Sequence, residues 1–348
     1  MTAVLGKLAS NRLFWPVVML LVLFAINLIA FPEFFSITVK DGHLFGSLID
    51  ILRNGAPMLI IAIGMTLVIA TRGIDLSVGA VCAISGAVAC SILLGSENPG
   101  SPATVAVAIA VAIGVALVMG VWNGFLVAVL GIQPIIATLI LMTAGRGVAM
   151  LITEGQILTV NSPPFKAIGS GFWFGLPIAV VIAAVIFALA ALITRRTALG
   201  LMIESVGINP EASRQAGVRA RGLLFGVYTF SALAAAIAGL ILTANQTAAD
   251  ANNTGLFIEL DAILAVVIGG TSLMGGRYSL TGTLVGALVI QTLVTTVYTV
   301  GIPPVVTMVF KAAVVTVVCL LQSPATTNAF ASWRRAAALR AAGKELTA

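Results

Sequence analysis

The sequence predicts an all-α polytopic membrane protein of about ten transmembrane helices with both termini cytoplasmic. Three observations carry that expectation. Of 348 residues, 60% are hydrophobic and 9% charged, against roughly 25% charged and about 45–50% apolar in soluble domains. Apolar runs close to the ~20 residues needed to cross a hydrocarbon core recur along the chain. Between them the Lys and Arg residues are dense on alternate sides, as the cytoplasmic bias of positive charge requires. Such a composition, with a mean hydropathy of +1.14, also excludes disorder.

The first run, 13–31, follows Lys7 and Arg12. It exceeds the apolar region of a secretory signal, about 7–15 residues, and no small-residue cleavage site follows. It therefore reads as a membrane helix. Further runs fall near 76–94, 103–122, 134–153, 174–194, 222–243, 280–298 and 304–322. Two more, 57–70 and 258–274, are shorter or more broken, and counting both gives ten spans. Residues 1–12 are then a cytoplasmic segment, 13–322 the membrane domain and 323–348 a basic cytoplasmic tail. This topology puts Lys7, Arg12, Arg72, Arg195, Arg196, Arg214, Arg219, Arg221, Arg277 and the tail cations inside. Only Lys40, Arg53 and Lys166 fall outside, while Arg146 and Lys311 lie within spans. A faint repeat relates Ile63, Gly64, Thr66 and Arg72 to Ile268, Gly269, Thr271 and Arg277.

Four stretches carry the chemistry. In the loop 195–221, Asn209 is placed to cap a short helix and Pro210 to occupy its first position, where no amide donor is needed. Glu211 complements the positive helix end, Arg214 and Ala216 continue the turn, and Gly217 suits the left-handed position after it. Such a helix offers a rigid contact to a cytoplasmic partner; a solvated basic loop is the other reading. The segment 64–79 holds Thr66, Arg72, Asp75 and Ser77 after a short apolar run. It reads either as a cytoplasmic hairpin or as a discontinuous helix with its polar groups in a cavity. Arg146 shares a helical face with Thr138 and Met142. A charge there costs about 2.5–3.5 kcal/mol on insertion scales and faces the bundle interior, either lining a pathway, satisfying loop carbonyls or pairing with a carboxylate. Lastly, Asn245, Asp250, Asn252, Asn253, Glu259 and Asp261 make a polar, anionic outer stretch able to hydrogen-bond sugar hydroxyls or to stand as an exposed loop.

The sequence lacks a GxxxxGK[ST] phosphate loop, so no ATPase site is expected in this chain. Cys82, Cys90, Cys319 and the single His43 do not make a metal-ligand pattern. No catalytic constellation and no aromatic platform for nucleic acid are visible.

Taken together, four blocks resemble the permease subunits of ribose-type monosaccharide ABC importers over about residues 45–322. They are Ala62–Thr66 into Gly73–Gly79, Pro134–Leu139 with Gly145–Gly147, Gly207–Asn209 with Ala216–Val218, and Glu259–Ile263 into Val267–Arg277. The wording at 41–46 and 250–256 is most similar to galactofuranose-type members. Arg72 departs from the pattern, which favours glycine there. The resemblance implies a ten-helix permease in a bacterial inner membrane, paired with a second permease chain (paralogue or self), ATP-binding cassette subunits and a periplasmic sugar-binding protein. ATP would be bound by the partner subunits. It makes Asn209, Pro210, Glu211, Arg214, Ala216 and Gly217 the element that docks on the ATPase. Thr66, Asp75, Ser77, Thr138, Arg146, Asn245, Asn252 and Asn253 are candidates for the substrate pathway. An ion-gradient-driven sugar transporter is the competing class, for which a carboxylate relay away from span ends is missing.

Overall fold

The structure is a computed structural model that describes residues 13–40, 42–301, 303, 306, 308–313 and 316. The expected terminal segments 1–12 and 323–348, Cys319 and much of the span 304–322 lie outside the described residues. Helix α1 (Phe14–Ala30) leads through a 3-10 turn (Pro32–Phe35) to an antiparallel hairpin, β1 (Thr38–Lys40) and β2 (His43–Phe45). Next come α2 (Ser47–Ala70), α3 (Val78–Leu94), α4 (Pro102–Ala128) and α5 (Pro134–Ile152). Strand β3 (Leu158–Thr159) and α6 (Pro163–Ser170) precede a second hairpin, β4 (Phe172–Trp173) and β5 (Leu176–Pro177). Then follow α7 (Ile178–Arg196), α8 (Ala198–Ile208), α9 (Pro210–Gln215) and α10 (Ala220–Gln246). Strand β6 (Ala248–Ala249), which pairs with β3, precedes α11 (Ile258–Ile268) and α12 (Leu280–Thr299). Proline opens α4, α5, α6 and α9, where its missing N–H would have had no intrahelical partner.

Among the described residues, α2, α4, α5, α7, α10 and α12 are long and apolar enough to cross a membrane. Their packing rests on small residues. Gly120 of α4 meets Ala232 and Thr229 of α10, Gly239 of α10 meets the backbone of Cys82, and Gly286 of α12 meets Ala265 of α11. Close backbone approach of this kind replaces the hydrophobic drive that lipid removes. A core of Ala232, Ala235, Ala236 and Ala238 on α10 sits against Ile60, Ile61 and Met65 of α2.

Three expectations change. The short run 57–70 is the second half of a 24-residue helix that continues through Pro57 and begins at Ser47. Hydropathy missed its first part because Asp50, Arg53 and Asn54 lie there, at the helix end away from Ala70. The run 258–274 is helical only to Ile268, because Gly269 and Gly270 (φ +84°) end it. Eleven residues span about 16 Å as a helix, half a hydrocarbon core. The run 174–194 opens with the β4–β5 turn, where Phe174 and Gly175 both have positive φ, and becomes helical at Ile178. The faint repeat is not matched in conformation, since Thr66 lies inside α2 whereas Thr271 follows the end of α11.

Candidate functional site

Beyond Ala70 the chain turns back into the bundle. Arg72 takes φ +65° and is exposed, and by Asp75 the backbone is buried against the middle of α10. Apart from exposed Arg72, the segment is thus largely covered by the helices and is not a solvated hairpin. Gly73 packs under the Tyr228 hydroxyl and Val68, leaving no room for a Cβ. The Asp75 carboxylate is 1% exposed, so it must be satisfied internally. It accepts bonds from the Ser77 amide (3.0 Å), the Ser77 hydroxyl (2.6 Å) and the Ser231 hydroxyl of α10 (2.8 Å). Asn123 of α4 donates Nδ2–H to Ser77 Oγ at 2.9 Å. The Thr138 hydroxyl, at the start of α5, lies 2.9 Å from the Pro134 carbonyl and 3.1 Å from that of Ile74. One short segment therefore ties α4, α5 and α10 together. Thr66 belongs to a separate contact, its hydroxyl 2.7 Å from that of Thr283, which joins α2 to α12.

Arg146 reaches the loop before α11. Its Nη1 donates to the carbonyls of Ala251 (2.9 Å) and Thr254 (2.8 Å). This is the loop-satisfying arrangement. The loop packs Gly255 against Gly79, and buried Glu259 abuts the same glycine. The exposed side of the loop is organised by Asp250, which accepts from the amides of Asn252 and Asn253 and, at 2.7 Å, from the Asn253 side chain. That last bond, more than any other influence, holds the Asp250 carboxyl below its ordinary pKa. Asn245, at the end of α10, accepts from Arg53 Nη2 at 2.7 Å. Asn245, Asn252 and Asn253 are exposed; Thr66, Asp75, Ser77 and Thr138 are buried with partners inside the chain.

The opposite end carries the capped helix. Asn209 Oδ1 accepts from the amides of Glu211 (3.1 Å) and Ala212 (3.0 Å). After Ala216, Gly217 adopts φ +86°. Its amide bonds to the Arg214 carbonyl and that of Val218 to the Ser213 carbonyl, the paired closure of a Schellman motif. Glu211 and Arg214 form an exposed ion pair at 2.6 Å. Two cavities flank α8, which leads into this helix. One of about 260 Å³ is lined by Leu67, Ile193, Ile203, Gly226 and Phe230, and one of about 310 Å³ by Arg195, Glu204 and Tyr278.

Sequence reasoning did not find Ser231, Asn123, Thr283, or the Lys311–Asp261 ion pair at 2.7 Å. Serines and threonines inside apolar helices leave no spacing signal, because their partners come from distant segments. Lys311 and Asp261 were visible as charges, but not as a pair.

Among the described residues, then, the protein is a bundle of long apolar helices held by buried inter-helix ties, with a short capped helix at its basic end. The chain is a member of the branched-chain amino acid transport system / permease component family, whose profile matches residues 47–319. It is 51% identical over 320 residues to the galactofuranose transporter permease protein YtfT of Escherichia coli K12, covering 90% of this chain and 92% of that one. It is 44% identical to the fructose import permease protein FruF of Bifidobacterium longum, over 98% and 96% of the two chains. Identity to the ribose import permease protein RbsC of Escherichia coli K12 is 39%, over 87% and 91%. No solved structure matches the chain.

Proposed function

We propose that this chain is the transmembrane subunit of an ATP-driven ABC importer that moves a monosaccharide across a bacterial inner membrane by alternating access. The observation that carries this reading is α9, a helix of six residues capped at both ends and presented at the basic end of the bundle. A chain that carries no phosphate loop but offers such a helix is suited to receive force from separate ATPase subunits. The relatives named for galactofuranose, fructose and ribose favour a sugar as cargo, with galactofuranose first by identity. In this reading a periplasmic sugar-binding protein docks at the outer end, where Asn245, Asn252 and Asn253 meet the incoming sugar. A second permease chain completes the pathway. ATP binding closes the cassettes, draws on α9 and rocks the helices outward; hydrolysis resets them. Ten spans with both termini cytoplasmic fit the charge distribution. Thr66, Asp75, Ser77, Thr138 and Arg146 serve the pathway from behind, as the ties that hold its helices.

The test is purification of the tagged chain from native membranes in mild detergent, with identification of its companions, followed by uptake of radiolabelled D-galactose, D-fructose and D-ribose. Co-purification of an ATP-binding cassette protein and ATP-dependent uptake of one sugar are expected. Uptake that persists after loss of every candidate ATPase would mean a gradient-driven transporter.

A further inference from the structure

The turn that follows α2 is held from two sides. On the inner side lies the Asp75 network. On the outer side the Arg72 guanidinium donates from Nη2 to the Ile208 carbonyl at 2.5 Å and from Nε to the Met274 carbonyl at 3.1 Å. Ile208 is the last residue of α8 and stands immediately before Asn209, the cap of α9. The guanidinium therefore sits at the carbonyl end of α8, where a cation also suits the helix dipole. Around this point the backbones touch. Gly207 lies directly on the Ala70 carbonyl, and the Gly276 amide donates to the same carbonyl at 2.9 Å. Gly275 packs on the Arg72 side chain. Farther back, α8 borders the two cavities and packs Ile203 against Leu67 and Val227, so this joint is its contact with the membrane helices nearest to α9.

We propose that Arg72 is the positioning residue that locks α9 to the transmembrane helices, so that movement of a docked ATPase is passed through the 71–77 segment into α4, α5 and α10. This rests on the importer reading above. Two features of the geometry support it. The same seven residues carry both grips, and Arg72 holds a left-handed conformation (φ +65°) that an ordinary side chain avoids. Glycine would make the same turn without a Cβ penalty, so R72G separates the turn from the guanidinium.

That contrast supplies the experiment. The assembled complex, with its cassette subunits and second permease chain, is reconstituted in proteoliposomes with its sugar-binding protein. ATP hydrolysis and uptake of radiolabelled D-galactose, or of D-fructose or D-ribose if the wild type prefers it, are measured together. A wild-type complex with no ATP-dependent uptake overturns the importer reading whatever Arg72 does. Given an active wild type, R72G preserves the turn and loses the guanidinium. The expected result is a thermal midpoint at or above wild type, continued ATP hydrolysis, and sugar moved per ATP lowered by about fivefold or more. R72K, with a single ammonium, restores part of that ratio. Equal sugar per ATP in R72G and wild type would overturn the proposal. So would failure of both variants to assemble with the cassettes, since Arg72 would then be required for the scaffold and not for transmission.

Discussion

The Asp75 segment and α9 are both polar, and both stand beside the Arg72 joint, yet they are stabilised in opposite ways. Asp75 is satisfied across the fold, by Ser231 from 156 residues away as well as by Ser77 next door. Helix α9 is satisfied by its own neighbours, Asn209 at one end and Gly217 with Val218 at the other. A buried carboxylate withdrawn from its donors strands several groups without water. An exposed cap withdrawn from its amides merely returns them to water. The inner grip should therefore behave as an all-or-none structural element and the outer helix as a graded one.

The largest effect expected from that contrast is at Asp75. Asp75→Ala leaves the Ser77 amide, the Ser77 hydroxyl and the Ser231 hydroxyl without their acceptor, at a cost on the order of 3 kcal/mol. Asp75→Asn, which keeps one oxygen acceptor, costs less. Thermal midpoints of the purified chain in one detergent check this, and equal midpoints for the alanine variant and wild type would remove the network from the fold's stability.

The same contrast explains what the sequence made legible. The α9 cap, its opening proline and the left-handed Gly217 were all readable because each device acts within a few residues. Positions of most membrane runs were readable because crossing a bilayer demands a long apolar stretch whatever the fold. Where a helix was half polar, as in Ser47–Asn54, hydropathy truncated it, and where Gly269 ended one early, composition carried on regardless. The partners of Asp75, Thr66 and Arg146 are set by which helices pack together, and a single chain read in one dimension holds no such distance. Arg72 stood out as a cytoplasmic cation and as a departure from glycine, but not as a joint. Its two carbonyl partners lie 136 and 202 residues away.

An intermediate effect is expected at Gly217. A β-branched residue there finds open space but must adopt φ +86°, which costs about 1–2 kcal/mol. Gly217→Val should leave the bundle's thermal midpoint unchanged and weaken recovery of the cassette subunit on affinity resin. Undiminished recovery together with normal uptake would remove α9 from the docking role. Asn209→Ala acts at the other end, where loss of a cap costs about 1 kcal/mol. Hydrogen exchange of the intact chain should show the Glu211 and Ala212 amides opening about fivefold faster, with protection in α10 unaltered.

The smallest effect belongs to the Glu211–Arg214 pair, and its pH dependence has a definite sign. Hydrogen bonding to Arg214, with its charge second, lowers the Glu211 pKa in the folded helix. A lowered carboxyl pKa adds stability above the unfolded-state value, and that contribution is lost as pH falls through the folded one. Both groups are fully exposed, so solvent and salt screen the pair heavily. Glu211→Gln should therefore raise exchange of the α9 amides slightly at neutral pH and low salt, less than Asn209→Ala does. The variant-to-wild-type ratio should approach one in acid below the ordinary glutamate range and again at high salt. A ratio independent of pH and salt would show that the pair adds nothing and that α9 stands on its caps alone. A ratio exceeding that of Asn209→Ala would reverse the order of strengths assigned here to capping and charge.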